Sequence, residues 1–203
     1  MFDRKFPLCL GFILITMSLL SSTATWAQDC TNQVPTMTSN GTPQGQVDAS
    51  GIFSSSYEPW QAFDISDSTM WISAVFETPA WISYQFTSDQ VIDRYSIKYV
   101  NGTITTRAPK DWLFQGRTDD EWTTLDVRNN QIDWAGVETR SYPVTSPGSY
   151  REYRLYITDD NDDRRGVVVI SMGRLSLEYC DPLIFSDGFE SGDTSAWSTI
   201  EQE

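Results

Sequence analysis

Between Cys30 and Cys180 apolar residues recur at every second position in short runs, and no window holds a 3.6-residue apolar period over several turns. In Trp81–Phe86 the residues Ile82, Tyr84 and Phe86 share one face, and in Asp93–Val100 Tyr95, Ile97 and Tyr99 oppose Arg94, Ser96 and Lys98. Tyr153, Leu155 and Ile157 alternate with Arg154, Tyr156 and Thr158, and Leu175, Leu177 and Tyr179 alternate with Arg174, Ser176 and Glu178. Successive side chains on a strand point to opposite faces, so each run predicts a strand with one buried face. The Gly, Pro, Asn and Asp residues between the runs supply turns. Many short, half-buried strands in one stretch predict an all-β chain: an antiparallel jelly-roll β-sandwich whose aromatic-rich inner faces form a single core.

The N-terminal segment follows another pattern. Arg4 and Lys5 precede an apolar run from Phe6 to Leu20, and small or polar residues then lead to Thr25 and Ala27. This predicts a secretory signal peptide over residues 1–27, cut before Gln28, because the apolar run is short for a bilayer span; the alternative is an uncleaved anchor. Cys30 lacks the small apolar neighbour that a lipoprotein signal requires. No second apolar run follows, so the mature chain is expected to have no transmembrane segment and to be secreted or periplasmic, or held at the cell surface. Cys9 leaves with the signal, and in an oxidising compartment the simplest state of the remaining pair, Cys30 and Cys180, is one disulfide. Two unpaired thiols and a metal site are the other readings. A bridge across 150 residues would mark the two ends of one domain, 28–180, and leave 181–203 as an acidic tail.

Charge and composition narrow the function. The 203 residues carry 14 Lys+Arg against 28 Asp+Glu, a net of -14, and loss of the signal leaves 12 against 27, a net of -15. No stretch has a basic excess large enough to overcome the acidic whole, so nucleic acid is not an expected partner. The chain has 0 His, which excludes a Ser-His-Asp triad, His-ligated zinc and an imidazole general base.

Four blocks of residues resemble a known family. They are Tyr57-Glu58-Pro59-Trp60-Gln61-Ala62-Phe63-Asp64 followed by Ser68-Thr69-Met70-Trp71; Trp81–Phe86 leading into Val91–Tyr95; Arg107-Ala108-Pro109-Lys110-Asp111-Trp112 running on to Leu125; and Tyr150–Leu155 closed by Gly173–Tyr179 and the terminal Cys. In this order the chain resembles the discoidin, or coagulation-factor type C, domain, whose members include the family 32 carbohydrate-binding modules. The resemblance implies a jelly-roll sandwich with its terminal cysteines bridged, in agreement with the periodicity and the cysteine count.

Asp64, Asp67 and Thr69 cluster on a turn before Trp71, and hard oxygen donors at this density suit calcium. The resemblance adds Glu178 from the last strand, so a structural calcium held by Asp64, Asp67, Thr69 and Glu178 is the expected cofactor. The Gly that the family carries after Asp64 is Ile65 here, and the alternative is an Asx-turn closed by Asp64 itself. Asp159, Asn161 and Asp163 begin like an EF-hand loop, but Arg164 stands where that loop needs Gly and Ile170 where it needs Glu, so residues 159–163 read as a solvated loop.

A sugar site is expected on the loops at one end of the sandwich, where pyranose rings stack on aromatic faces and hydroxyls meet Arg, Asn or Asp. Phe53 and Tyr57 in a Ser/Gly-rich stretch, Arg107 after the turn at Asn101-Gly102, Trp134 and Arg164 are the candidates. Each also has a structural reading: Phe53 as core, Arg107 as an ion-pair partner, Trp134 as an edge seal. The galactose-binding members commonly use a His, which this chain lacks. Binding to anionic lipid, another outcome in the family, meets the wrong net charge. The sequons at Asn40 and Asn101 read as Asn-Gly turns. The segment after Cys180 resembles a short acidic, aromatic-punctuated tail found at the C-termini of exported bacterial proteins. The expectation is therefore a non-catalytic exported module that recognises a carbohydrate or cell-envelope glycan, with protein adhesion as the alternative and a glycan-acting enzyme behind both.

Overall fold

The computed structural model describes residues 28–75, 79–163 and 169–181, so the expected signal peptide, Arg164 and the tail after Asp181 lie outside the described residues. The strands are β1 (Cys30–Asn32), β2 (Gln46–Ala49), β3 (Trp71–Ile72), β4 (Ala80–Val91), β5 (Arg94–Tyr99), β6 (Pro109–Arg117), β7 (Thr123–Arg128), β8 (Glu138–Pro143), β9 (Ser149–Asp160), β10 (Ser171–Met172) and β11 (Arg174–Cys180). Short 3-10 helices at Pro59–Phe63 and Thr105–Arg107 join some of them. A five-stranded sheet in the order β2-β4-β9-β6-β7 faces a four-stranded sheet in the order β1-β11-β5-β8, and β3 pairs with β10 alongside; every pairing is antiparallel. This is the expected β-sandwich.

The alternating runs fall where the pattern put them. Ile82, Tyr84 and Phe86 of β4, Tyr95, Ile97 and Tyr99 of β5, Tyr153, Leu155 and Ile157 of β9 and Leu175 and Leu177 of β11 are buried in one continuous core. Tyr179 departs from its run and is exposed, because β11 is paired to β5 only as far as Glu178. The two sheets meet through stacked rings: Tyr95 of β5 lies 4.4 Å from Phe114 of β6, and Phe114 in turn stacks within its own sheet on Tyr153 of β9 at 5.6 Å, centroid to centroid. Such offset aromatic pairs add to the stabilisation that area burial supplies. Cys30 stands opposite Cys180 in the β1-β11 ladder and is disulfide-bonded to it.

One polar cluster sits inside the sandwich. Trp112 donates its indole N–H to the Tyr95 hydroxyl (2.9 Å), and that hydroxyl donates to Asp126 Oδ2 (2.8 Å). The same carboxylate accepts from Arg128 Nε (2.7 Å) and from the Thr145 hydroxyl (2.6 Å). Buried polar groups are tolerated when each has a partner, as here.

Candidate functional site

Several loops converge at the end of the sandwich where β4 begins and β9 finishes, and backbone hydrogen bonds tie them together. The Phe53 N–H donates to the Ile72 carbonyl (2.8 Å), which fixes the loop after β2 to β3. Asn101 Nδ2 donates to the Ser171 hydroxyl (3.1 Å), and the Gly102 N–H donates to the Gly136 carbonyl (3.0 Å). A Cβ on Gly136 would lie 2.0 Å from the Gly102 carbonyl oxygen, so this approach of two loops requires glycine. Asn161 donates from its side chain to the carbonyls of Ala108 (3.0 Å) and Gln131 (3.2 Å), which pins the acidic loop to its neighbours.

The structure brings three of the expected sugar-site residues together. Phe53 is 48% exposed, its ring stands edge-on to Tyr57 at 6.2 Å, and the Arg107 guanidinium carbon lies 5.9 Å from the Phe53 centroid. Arg107 ends the 3-10 helix Thr105–Arg107, and among the described residues no carboxylate pairs with it. The partly exposed guanidinium thus lies beside an exposed aromatic ring. Phe53 does not take its structural reading as core, and Arg107 has no ion-pair partner among the described residues.

Trp134 takes its structural reading. It is 5% exposed, its indole N–H donates to the carbonyls of Pro109 (3.0 Å) and Gln131 (3.1 Å), and Arg140 covers its ring at 4.2 Å. It forms part of the wall of a cleft of about 480 Å³ that Thr105, Thr106, Ile132, Asp133 and Asn161 also line. The cleft adjoins Arg107 through the 3-10 helix. A second cleft, of about 380 Å³, lies over β4, β6 and β9, but its arginines are engaged: Arg117 with Glu152 at 2.7 Å and Arg151 with Asp89 at 3.0 Å.

The acidic loop is not the solvated segment expected. Asp160 is 2% exposed and accepts the N–H groups of Asp162 (3.0 Å) and Val169 (2.9 Å), while Asp159 pairs with Lys110 at 2.8 Å. Burial pushes the Asp160 carboxyl above the ordinary aspartate range. Pentad spacing alone could not show this, because the strand β9 runs on to Asp160 and carries it inward.

The expected calcium ligands are not brought to one point. Asp64 Oδ1 accepts the Ser66 N–H (2.9 Å) and Oδ2 accepts the Thr69 hydroxyl (2.8 Å), so Asp64 and Thr69 meet in the Asx-turn arrangement. Asp67 pairs with Lys98 at 2.5 Å and with Arg174 at 3.5 Å. Glu178 accepts the Ser96 hydroxyl (2.7 Å) and faces Arg94 in the ladder, four residues along β11 from the Arg174–Lys98 rung that meets the loop. At about 3.4 Å per residue the two rungs are roughly 13 Å apart along the strand, whereas oxygens that share one calcium at about 2.5 Å each lie within about 5 Å of one another. Among the described residues no group of three or more His, Cys, Asp or Glu could hold a metal ion. The donor set present does not fit calcium.

Comparison with known proteins places this architecture. No family model matches the chain. A peptide-N(4)-(N-acetyl-beta-glucosaminyl)asparagine amidase of Arabidopsis thaliana is 29% identical over 151 residues, 70% of this chain, and the chain spans 20% of that protein's length. Among solved structures, chitosan-binding module 1 of a chitosanase/glucanase from Paenibacillus sp. IK-5 superposes with a TM-score of 0.53 at 20% identity, covering 66% of this chain and 94% of the module. A family 32 carbohydrate-binding module from Clostridium perfringens, in complex with GalNAc-β-1,3-galactose, gives 0.54 at 12% identity over 65% and 93%. An F5/8 type C domain from Bacteroides fragilis gives 0.57 at 12% identity over 68% and 93%. At these identities the likeness is one of fold.

Proposed function

We propose that this chain is a non-catalytic carbohydrate-binding module that receives a glycan at the loop end of the sandwich. The observation that carries this reading is the pairing of an exposed ring, Phe53, with a guanidinium, Arg107, that no carboxylate among the described residues claims. A pyranose has an apolar face that packs on an aromatic ring and equatorial hydroxyls that accept from a planar donor fork. The adjoining cleft of about 480 Å³, with Thr105, Thr106, Asp133 and Asn161 in its lining, has room and hydrogen-bonding groups for one to two further sugar units. Modules of this fold in Paenibacillus sp. and Clostridium perfringens are named for chitosan and bound to GalNAc-β-1,3-galactose respectively, which supports the ligand class. The amidase activity of the Arabidopsis thaliana relative belongs to a protein of which this chain spans one fifth. The leader pattern of residues 1–27 and the Cys30–Cys180 bridge support an extracytoplasmic location.

A glycan array probed with the chain from Gln28 onward tests the reading. Binding to at least one glycan family is expected, and Phe53→Ala and Arg107→Ala are each expected to weaken it at least tenfold while leaving the melting temperature within about 2 °C, since both side chains lie outside the core. Binding that both variants retain would place the glycan elsewhere. Silence across the array, together with capture of a polypeptide that depends on the same two residues, would make this a protein-adhesion surface.

A further inference from the structure

The turn after the 3-10 helix Pro59–Phe63 must be fastened to the sheet beneath it, and the fastening can be read atom by atom. Arg174 opens β11 and stands directly opposite Lys98 of β5. Arg174 Nε donates to the Asp64 carbonyl (3.0 Å), and its NH2 group lies 3.5 Å from Asp67 Oδ1. Lys98 Nζ donates to the same oxygen at 2.5 Å. One strand rung thus delivers two cationic side chains to a backbone carbonyl and a carboxylate of a single turn. The Lys98 hydrogen bond holds the Asp67 carboxyl below the ordinary aspartate range. Asp64 is already satisfied within the turn by Ser66 and Thr69.

Calcium would need six to eight oxygens, with carboxylates and carbonyls turned toward one point. Here the Asp64 carbonyl and the Asp67 carboxylate are both taken by nitrogen donors. The side chain that the last strand sends to the turn is a guanidinium, and the nearest acid on that face of β11, Glu178, is two alternations further along and bonded to Ser96.

We propose that the Lys98–Arg174 pair stands in the place of a divalent cation, cross-linking the 64–69 turn to the four-stranded sheet with charge that the chain itself carries, so that the fold does not depend on calcium. The cross-link bears on the loop end. The turn leads directly into β3, whose Ile72 carbonyl accepts the Phe53 N–H.

Thermal unfolding and amide hydrogen exchange on the disulfide-bonded chain from Gln28 onward test this with calcium chloride or a chelator as the only change. Equal melting temperatures and equal exchange at Ser66, Ser68 and Thr69 in both solutions are expected. A melt that rises with calcium overturns the proposal, because a ligand bound only by the native state must stabilise it. Lys98→Met and Arg174→Met are each expected to speed exchange in the 64–69 turn with a melting loss of no more than about 4 °C, the range for a solvent-facing ion pair in a domain of this size. Unchanged exchange in both variants overturns it as well. Arg174→Glu replaces the guanidinium by a carboxylate beside Asp67 and the Asp64 carbonyl, and this variant is expected to gain a calcium-dependent rise in melting temperature that the parent lacks. If it gains none, the pair is an ordinary ion-pair cluster and does not occupy a metal's place.

Discussion

The Asp126 cluster gives the sharpest test of how this sandwich is held together. Asp126 has a side chain 1% exposed, and Tyr95, Arg128 and Thr145 all donate to it. In Asp126→Ala the three donors lose their acceptor unequally. Thr145 is exposed and recovers water. Arg128 is 26% exposed, recovers water in part, and keeps the Pro143 carbonyl at 2.6 Å. Tyr95 is fully buried, and burial holds its hydroxyl far above the ordinary phenol range, so it remains a protonated donor with nothing to donate to. An orphaned buried donor costs about 1–3 kcal/mol, and removing one partner of a buried pair costs about 3–5 kcal/mol. With the discount for Arg128 rehydration we expect a loss of about 3 kcal/mol, read in urea as a lower midpoint at unchanged slope and in heat as a drop of about 6–12 °C. Asp126→Asn, which keeps one acceptor oxygen but no charge, should fall between. A cycle with Tyr95→Phe should show a coupling of at least about 1 kcal/mol, since the two residues share one hydrogen bond. A loss under about 1 kcal/mol in Asp126→Ala would refute the reasoning, because it would mean that these donors find water in the native state.

Two further outcomes follow from bonds already described. Reducing the Cys30–Cys180 bridge, or replacing both residues by Ser, opens a loop of 150 residues and should cost about 5 kcal/mol with a steeper urea dependence, since the freed chain exposes more surface when unfolded; a loss below about 2 kcal/mol would refute the loop-entropy account. Glu138 and Asp67 are held below their ordinary carboxyl ranges by hydrogen bonds from Arg140 and Lys98. Their folded-state pKa values lie under the unfolded ones, so their contribution is complete above about pH 5 and lost as pH falls below about 4. Melting curves between pH 7 and pH 3 should show that loss, and Glu138→Gln should shallow it; an identical slope in the variant would remove Glu138 from the account.

What the sequence showed and what it hid divides along a physical line. Strands with one face in the core announce themselves by alternation, which is why β4, β5, β9 and most of β11 were legible residue by residue. The edge strands were not: β8 buries only Tyr142 and β1 buries nothing fully, so neither carries a periodic signal. Alternation also fails at Asp126. Leu125 and Asp126 are both buried because the β6-β7 register shifts between Phe114 and Gln115, and a bulge turns two consecutive side chains the same way. Phe53 and Arg107 were visible as an aromatic and a cation in polar loop sequence. Trp134 looked the same from sequence, yet two backbone carbonyls satisfy its indole and draw it inside. The calcium expectation met a differently arranged donor set for a related reason. Acids near a turn are legible, but whether a carboxylate meets a metal or an ammonium depends on which residue of another strand shares its rung. Lys98 and Arg174 are 76 positions apart in sequence and opposite each other in the sheet, so the partners of Asp67 are decided by β5-β11 register, and a shift of that register by two residues would set Arg174 against Ser96, or Lys98 against Ser176, and part the two cations.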